Sequence, residues 1–270
     1  MEKAILHLGL LDDENIALDT AALEIAALDH PGAVLAGYTD LLDDITERLA
    51  TTSGFAETAA ERAQALARII AGEFGFTGDR QTYDHRDNAD LIRVIDRRRG
   101  LPVSLAILYV SQARRLGWEA DALNTPGHVL VRIGSVSHPV LLDAFDDGTP
   151  MEPPALAALL VRMLGAGGSP SAEHLAPMSN RSVLARLVMN QASRAETAGE
   201  AERALELYRR ITAIAPGNGN AWWERARLEL ATGQARDARA SLSAMLEVTR
   251  DREMRDHIFA ALDALSGSAR

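Results

Sequence analysis

Three side chains in this sequence have the types and chain order of a nucleophile, a base and an orienting acid: Ser104, His128 and Asp143. A hydroxyl within reach of an imidazole, itself held by a carboxylate, attacks a carbonyl carbon and carries the proton to the leaving group. Ser104 ends the run Gly100-Leu101-Pro102-Val103-Ser104. Gly100 is expected to close one helix and Pro102 to open the next, which makes Ser104 the third helical residue. A helix N-terminus lowers a thiol pKa from about 8.5 into the range of roughly 3.5–7.5. It does not ionise a serine. Ser104 would have to pass its proton to His128 within the transition state, and no G-x-S-x-G elbow surrounds it. The plainer reading is a helix-end serine bonded to backbone, beside a histidine and an aspartate paired for structure.

The elements that must position these residues are legible from local pattern. Leu105 to Val110 are apolar on more than one face, so the helix after Pro102 is expected to be buried, with Arg114 and Arg115 at its C-terminal end and Gly117 closing it. From His128, HVLVRI alternates as a strand, Gly134 to Ser137 is turn-like, and Val140 to Phe145 reads as a second strand. A hairpin centred between Ser135 and Val136 sets His128 directly opposite Asp143. Opposed residues have Cβ atoms about 5 Å apart, within reach of a hydrogen bond. A one-residue slip would turn the aspartate to the other face.

Ahead of the serine helix, residues 11–50 and Ala56 to Phe74 read as amphipathic packing helices, with Ser53 a candidate cap for the second stretch. Asn88 to Arg99 is expected to be helical. Tyr83, Asp84 and Asn88 either line the serine's cleft or cap that helix. Arg97-Arg98-Arg99 reads as a solvated helix end, because Asp90 and Asp96 lie just upstream. Asp146 and Asp147 are expected to be turn residues, since their spacing matches no calcium loop. His7, His30, His85, His138, His174 and His257 form no motif, and no metal or cofactor is expected.

Beyond residue 150 the chain changes character. Pro150, Pro153, Pro154, Gly165, Gly167, Gly168 and Pro170 surround one short helix, Ala155 to Leu164, and residues 166–180 are the expected linker. From Asn180 a period appears. Gly199 and Gly233, Ala204 and Ala238, Tyr208 and Leu242, and Ile211 and Met245 are each 34 residues apart. That is the tetratricopeptide (TPR) period, although Arg225 and Glu229 stand where the repeat favours apolar or aromatic side chains. Trp222 and Trp223 are expected in repeat packing or at an interface.

Composition limits the rest. With 270 residues, two globular units are expected: 1–165 and, after the linker, 181–265. A net charge of -10 argues against nucleic acid, since an acidic surface repels phosphates. No apolar run approaches the ~18 residues of a membrane span. The absence of cysteine removes disulfides and a thiol nucleophile, and together with an N-terminus lacking a secretory pattern it gives a cytoplasmic expectation.

The runs GLPVSLAILYVSQARRLGW, NTPGHVLVRIG and LLDAFDDG resemble the core of bacterial SirB-type proteins, which join a transglutaminase-like domain to TPR repeats. The resemblance implies an α+β fold: a helical N-terminal part, a papain-like core with a small antiparallel sheet, then helical repeats. It places Ser104 where active transglutaminase-like enzymes carry cysteine, and His128 and Asp143 at the other two triad positions. Ala144 stands where the family pattern has proline. Two functions follow as expectations. One is a protein-interaction or regulatory module with a degenerate triad, taking a protein or peptide partner on its repeats. The other is a serine-dependent hydrolase or acyltransferase acting on an amide or ester.

Overall fold

The computed structural model describes residues 4–165, 169 and 171–267. It is mostly helical with one small antiparallel sheet, as the sequence leads one to expect. Helices α1 (Leu6–Leu10), α2 (Leu18–Ala27), α3 (Ala36–Ser53) and α4 (Ala59–Leu66) come first, and α4 continues into a π-helical stretch, Ala67–Glu73. Then follow β1 (Thr77–Gly78), α5 (Leu91–Arg97), β2 (Arg99–Gly100), α6 (Pro102–Arg115), β3 (Ala120–Leu123), β4 (Leu130–Ile133), β5 (Val140–Asp143), β6 (Thr149–Pro150) and α7 (Pro153–Leu164). The remainder is helical: α8 (Asn180–Thr197), α9 (Ala201–Ile214), α10 (Gly219–Ala231), α11 (Ala235–Val248) and α12 (Arg252–Gly267). No helix among the described residues is long and apolar enough to cross a membrane.

The chain divides into two compact units, Asp13–Val183 and Met1–Asp12 with Leu184–Arg270. Residues 4–12 thus group with the helical repeats, whereas the sequence pattern places them with the residues that follow.

In the first unit α6 is the central element. Every residue from Pro102 to Ala113 is buried, as its all-round apolar sequence requires. It meets α2, α3 and α4 and the sheet strands β3 and β4. Pro102 opens it at the first helical position, and Gly117 follows its end at φ +71°. The sheet is an antiparallel meander in the order β3-β4-β5-β6. Leu123 and Leu130 pack with Leu159 of α7, flanked by Leu141, Met151 and Leu156. Within the expected linker, residues 176–178 instead run along the sheet edge. Asn124 N–H donates to the Ala176 carbonyl and Met178 N–H to that of Ala122, with Pro177 bridging Leu123. The glycine-rich centre of that segment, residues 166–168, and Pro170 lie outside the described residues.

Two local expectations are corrected. Thr58, not Ser53, caps the fourth helix, through a reciprocal capping box with Glu61. The left-handed residue after α5 is Arg98 at φ 56°, not Gly100. Arg98 is held there because its carbonyl accepts from Thr77 N–H and its guanidinium lies 4.5 Å from the Phe76 ring centroid. Gly100 is instead a β-residue, paired in parallel with Gly78. A Cβ on it would stand 3.1 Å from Val94 Cγ1 and 3.3 Å from the Ser104 Cβ.

In the second unit the 34-residue period has a direct structural counterpart. Gly199 and Gly233 adopt φ +76° and +77°, closing helices in the same left-handed geometry. Ala204 and Ala238, Tyr208 and Leu242, and Ile211 and Met245 are all buried. Helix α1 packs on α9 so closely that a Cβ at Gly9 would fall 2.3 Å from the Ala213 carbonyl oxygen.

Candidate active site

Ser104 occupies the third position of α6, fully buried at 0% exposure. Its hydroxyl donates to the main-chain carbonyl of Asn88 at 2.7 Å. A serine hydroxyl has one proton to give, and here it goes to backbone. The same carbonyl accepts Leu101 N–H, so Asn88 ties down both the entry to α6 and the candidate nucleophile.

Asn88 is itself fixed. Its side-chain amide donates to the carbonyls of Thr82 and Tyr83, and its Oδ1 accepts from Arg97. Arg97 also reaches Asp79 Oδ2 at 2.9 Å. The residue read as part of a solvated helix end is therefore a structural bridge. Asp79 is buried and additionally accepts the Thr82 hydroxyl and amide. Burial alone pushes its carboxyl upward, but the hydrogen bonds from Thr82 and Arg97 prevail and hold it well below the usual carboxylate range. A depressed folded pKa gives stability that is complete above the unfolded value of about 3.9 and is lost as pH falls from there toward the folded value. Acid titrations followed by circular dichroism are expected to show a shallower stability loss below about pH 4 for Asp79→Asn than for the parent. Equal slopes would remove Asp79 as a contributor.

His128 and Asp143 meet as the sequence suggested, but through a different register. The pairs Val131–Leu142, Arg132–Leu141 and Ile133–Val140 define the hairpin. The expected register is therefore corrected by two residues. The strands stop at Leu130 and Asp143, short of the sequence expectation, so His128 lies in the turn before β4 and outside the ladder. An even shift keeps Asp143 on its expected face, and His128 reaches it from the turn that precedes β4. His128 Nε2 stands 2.9 Å from Asp143 Oδ1. An ionised carboxylate only accepts, so Nε2–H is the donor. Asp143 Oδ1 also accepts Phe145 N–H and Asp146 N–H, capping the 3₁₀ turn Ala144–Asp146. The pair is 8% and 9% exposed.

Phe145 was not singled out from the sequence, yet it covers this pair. Its ring lies edge-to-face against His128, centroids 6.2 Å apart, and against Tyr83 at 5.6 Å. Gly78 must be glycine for that contact, since a Cβ there would fall 2.4 Å from the Phe145 carbonyl oxygen and 2.6 Å from its ring. Asp146 and Asp147 are turn residues that accept from Arg80 and Thr77 respectively. Beneath the turn, Tyr109 is buried with its hydroxyl against Gly148 and without a hydrogen-bond partner among the described residues. Burial, then the charges of Asp147 and Asp143, push that hydroxyl well above the ordinary tyrosine range. Of the residues around the site, Asn88 and Tyr83 carry a sequence signal, through their place before the serine helix, whereas Asp79, Phe145 and Tyr109 carry none.

Comparison with known proteins agrees with this architecture. A family model described as Transglutaminase-like superfamily matches residues 36–189, and one described as Tetratricopeptide repeat matches residues 195–256. A UPF0162 protein of Xylella fastidiosa is 29% identical over 245 residues, covering 89% of this chain and 87% of the relative. A UPF0162 protein of Pseudomonas aeruginosa is 33% identical over 209 residues, covering 77% and 76%. Human F-box only protein 21 is 33% identical over 82 residues, 30% of this chain and 13% of that protein. The first of these models spans Ser104, His128 and Asp143, and the extent of the matches makes the chain a member of the transglutaminase-like superfamily, in the UPF0162 family, with a C-terminal tetratricopeptide repeat region.

Proposed function

We propose that this protein is a cytoplasmic interaction or regulatory module of the SirB type, with a transglutaminase-like domain whose Ser104–His128–Asp143 set stands in for Cys-His-Asp. The observation that carries the reading is the Ser104 hydroxyl, buried and spent on the Asn88 carbonyl. A nucleophile needs its lone pair turned to substrate and its proton turned to a base. Neither need is served by a bond to a main-chain oxygen inside the protein. Tetratricopeptide repeats generally serve protein–protein contact, and a stacked helical array offers an extended groove for a partner. Affinity capture with the full chain is expected to lose its partner on Trp223→Ala and to keep it on Ser104→Ala. Loss on Ser104→Ala alone would sink the reading.

The His128–Asp143 hydrogen bond supports one rival, a serine acyl-transfer enzyme. There, Ser104 Oγ would bond to an ester or amide carbonyl carbon while its proton passed to His128. Asp143 would steady the imidazolium through Nε2, and the proton would leave on the departing alcohol or amine. Water, activated the same way, would then release the acid. A fluorophosphonate probe that labels Ser104, and fails on His128→Ala, would establish this rival in place of the module.

A further inference from the structure

The repeat unit contains a groove of about 580 Å³ built on α8, α9 and α10. Its apolar floor is Met189 and Trp223, which are 34 residues apart and so occupy equivalent positions of successive repeats. The two adjacent tryptophans do different work. Trp222 packs on the repeat core and donates its indole N–H to the Pro216 carbonyl. Trp223 turns to the groove and is 36% exposed.

The polar wall is two carboxylates around one cation. Glu196 accepts the Tyr208 hydroxyl at 2.8 Å and is paired with Arg227. Arg227 Nε donates to Glu224 at 2.5 Å. Glu196, Glu224 and Arg227 leave one negative charge in excess, on a chain of net charge -10. An anionic ligand would have to take Arg227 from two carboxylates that already hold it. A cationic ligand meets carboxylates whose positions are fixed before it arrives, so little ordering remains to be done on binding. The exposed face of Trp223 beside them attracts the same sign of charge.

We propose that this groove docks a cationic peptide segment of a partner protein, with a Lys or Arg seated against Glu196 and Glu224 and a neighbouring apolar side chain on Met189 and Trp223. The proposal rests on the interaction reading above and gives the partner its chemistry. It is tested on the full chain with two fluorescein-labelled pools of short peptides, one drawn from Arg, Lys, Leu and Phe and the other with Asp and Glu in place of the cations. Fluorescence anisotropy is expected to show the cationic pool binding at least about tenfold more tightly. That binding should fall about tenfold on Trp223→Ala and severalfold on Glu224→Gln. Glu247→Gln, the same charge change at an exposed position on α11, should leave it unchanged. Equal losses for Glu224→Gln and Glu247→Gln would show only bulk charge attraction and overturn the proposal. Preference for the acidic pool, still abolished by Trp223→Ala, would overturn the cationic chemistry while keeping the groove as a docking surface. Indifference of both pools to Trp223→Ala would overturn the groove itself, and with it this site for the interaction reading.

Discussion

Replacing Glu229 by alanine is expected to destabilise the helical unit by about 3 kcal/mol. The carboxylate is fully buried, at 0% exposure. It accepts from Arg225 Nε at 2.9 Å and from the Ser241 hydroxyl at 2.6 Å, with Arg209 Nη2 3.6 Å away. Breaking a buried pair from one side generally costs about 3–5 kcal/mol, because the surviving partner keeps its desolvation penalty. The lower end applies because the Arg225 side chain is 22% exposed and retains some access to water. Ser241, at 1% exposed, has no such outlet. Glu229→Gln preserves an acceptor and should cost about 1–2 kcal/mol. The double replacement Arg225→Leu, Glu229→Leu should return part of the loss, since both charges leave together and the repeat regains the apolar positions its period favours, while the Ser241 hydroxyl stays unpaired. Urea unfolding of the four proteins decides the matter. A single Glu229→Ala variant within about 0.5 kcal/mol of the parent would show that the buried network is energetically idle.

This network marks the limit of what the sequence disclosed about the repeats. The period was legible because helix stacking repeats the same small and bulky positions, and Gly199 and Gly233 recur in the same left-handed conformation. Arg225 and Glu229 broke the pattern visibly, but their compensation lay outside it. Thr212 and Ser241, which complete their hydrogen bonding, sit on the neighbouring helices α9 and α11.

The candidate site divides along similar lines. The serine helix was legible because Pro102, the apolar run and Gly117 are local signals that agree. The strands were legible by alternation. Their register was not, because alternation fixes parity while the loop fixes the offset. The strands leave residues 134–139 between them, a longer turn than the one assumed, with His138 N–H closing onto the Ser135 carbonyl. Parity survived for Asp143, and His128 meets it from the turn before β4, where its N–H donates to the Thr125 carbonyl. The clamp on Ser104 was hidden because Asn88 is sixteen residues upstream, and Asp79 and Arg97 act on it only through the fold. The same holds for α1, whose five residues carry no pattern strong enough to say that they pack on α9.

The sharpest division between the two functional readings comes from Ser104→Cys. The chain has no cysteine, so the new thiol would be the only one to label. Two effects oppose each other at this position. The start of α6 favours a thiolate, while complete burial disfavours charge and blocks the reagent. Burial is expected to win, because the neighbouring Asn88 carbonyl offers an acceptor and no positive charge, and because alkylation must wait for local opening. An opening free energy of about 3 kcal/mol would slow iodoacetamide labelling roughly a hundredfold relative to a free cysteine peptide. Mild urea should restore the rate well before the global transition. The enzyme reading requires the reverse. A site shaped for nucleophilic attack would label at or above the peptide's rate at neutral pH and would lose that advantage on His128→Ala. Fast, His128-dependent labelling would therefore mean that the hydroxyl's bond to Asn88 is a resting contact which substrate displaces, and that the module carries a working acyl-transfer centre.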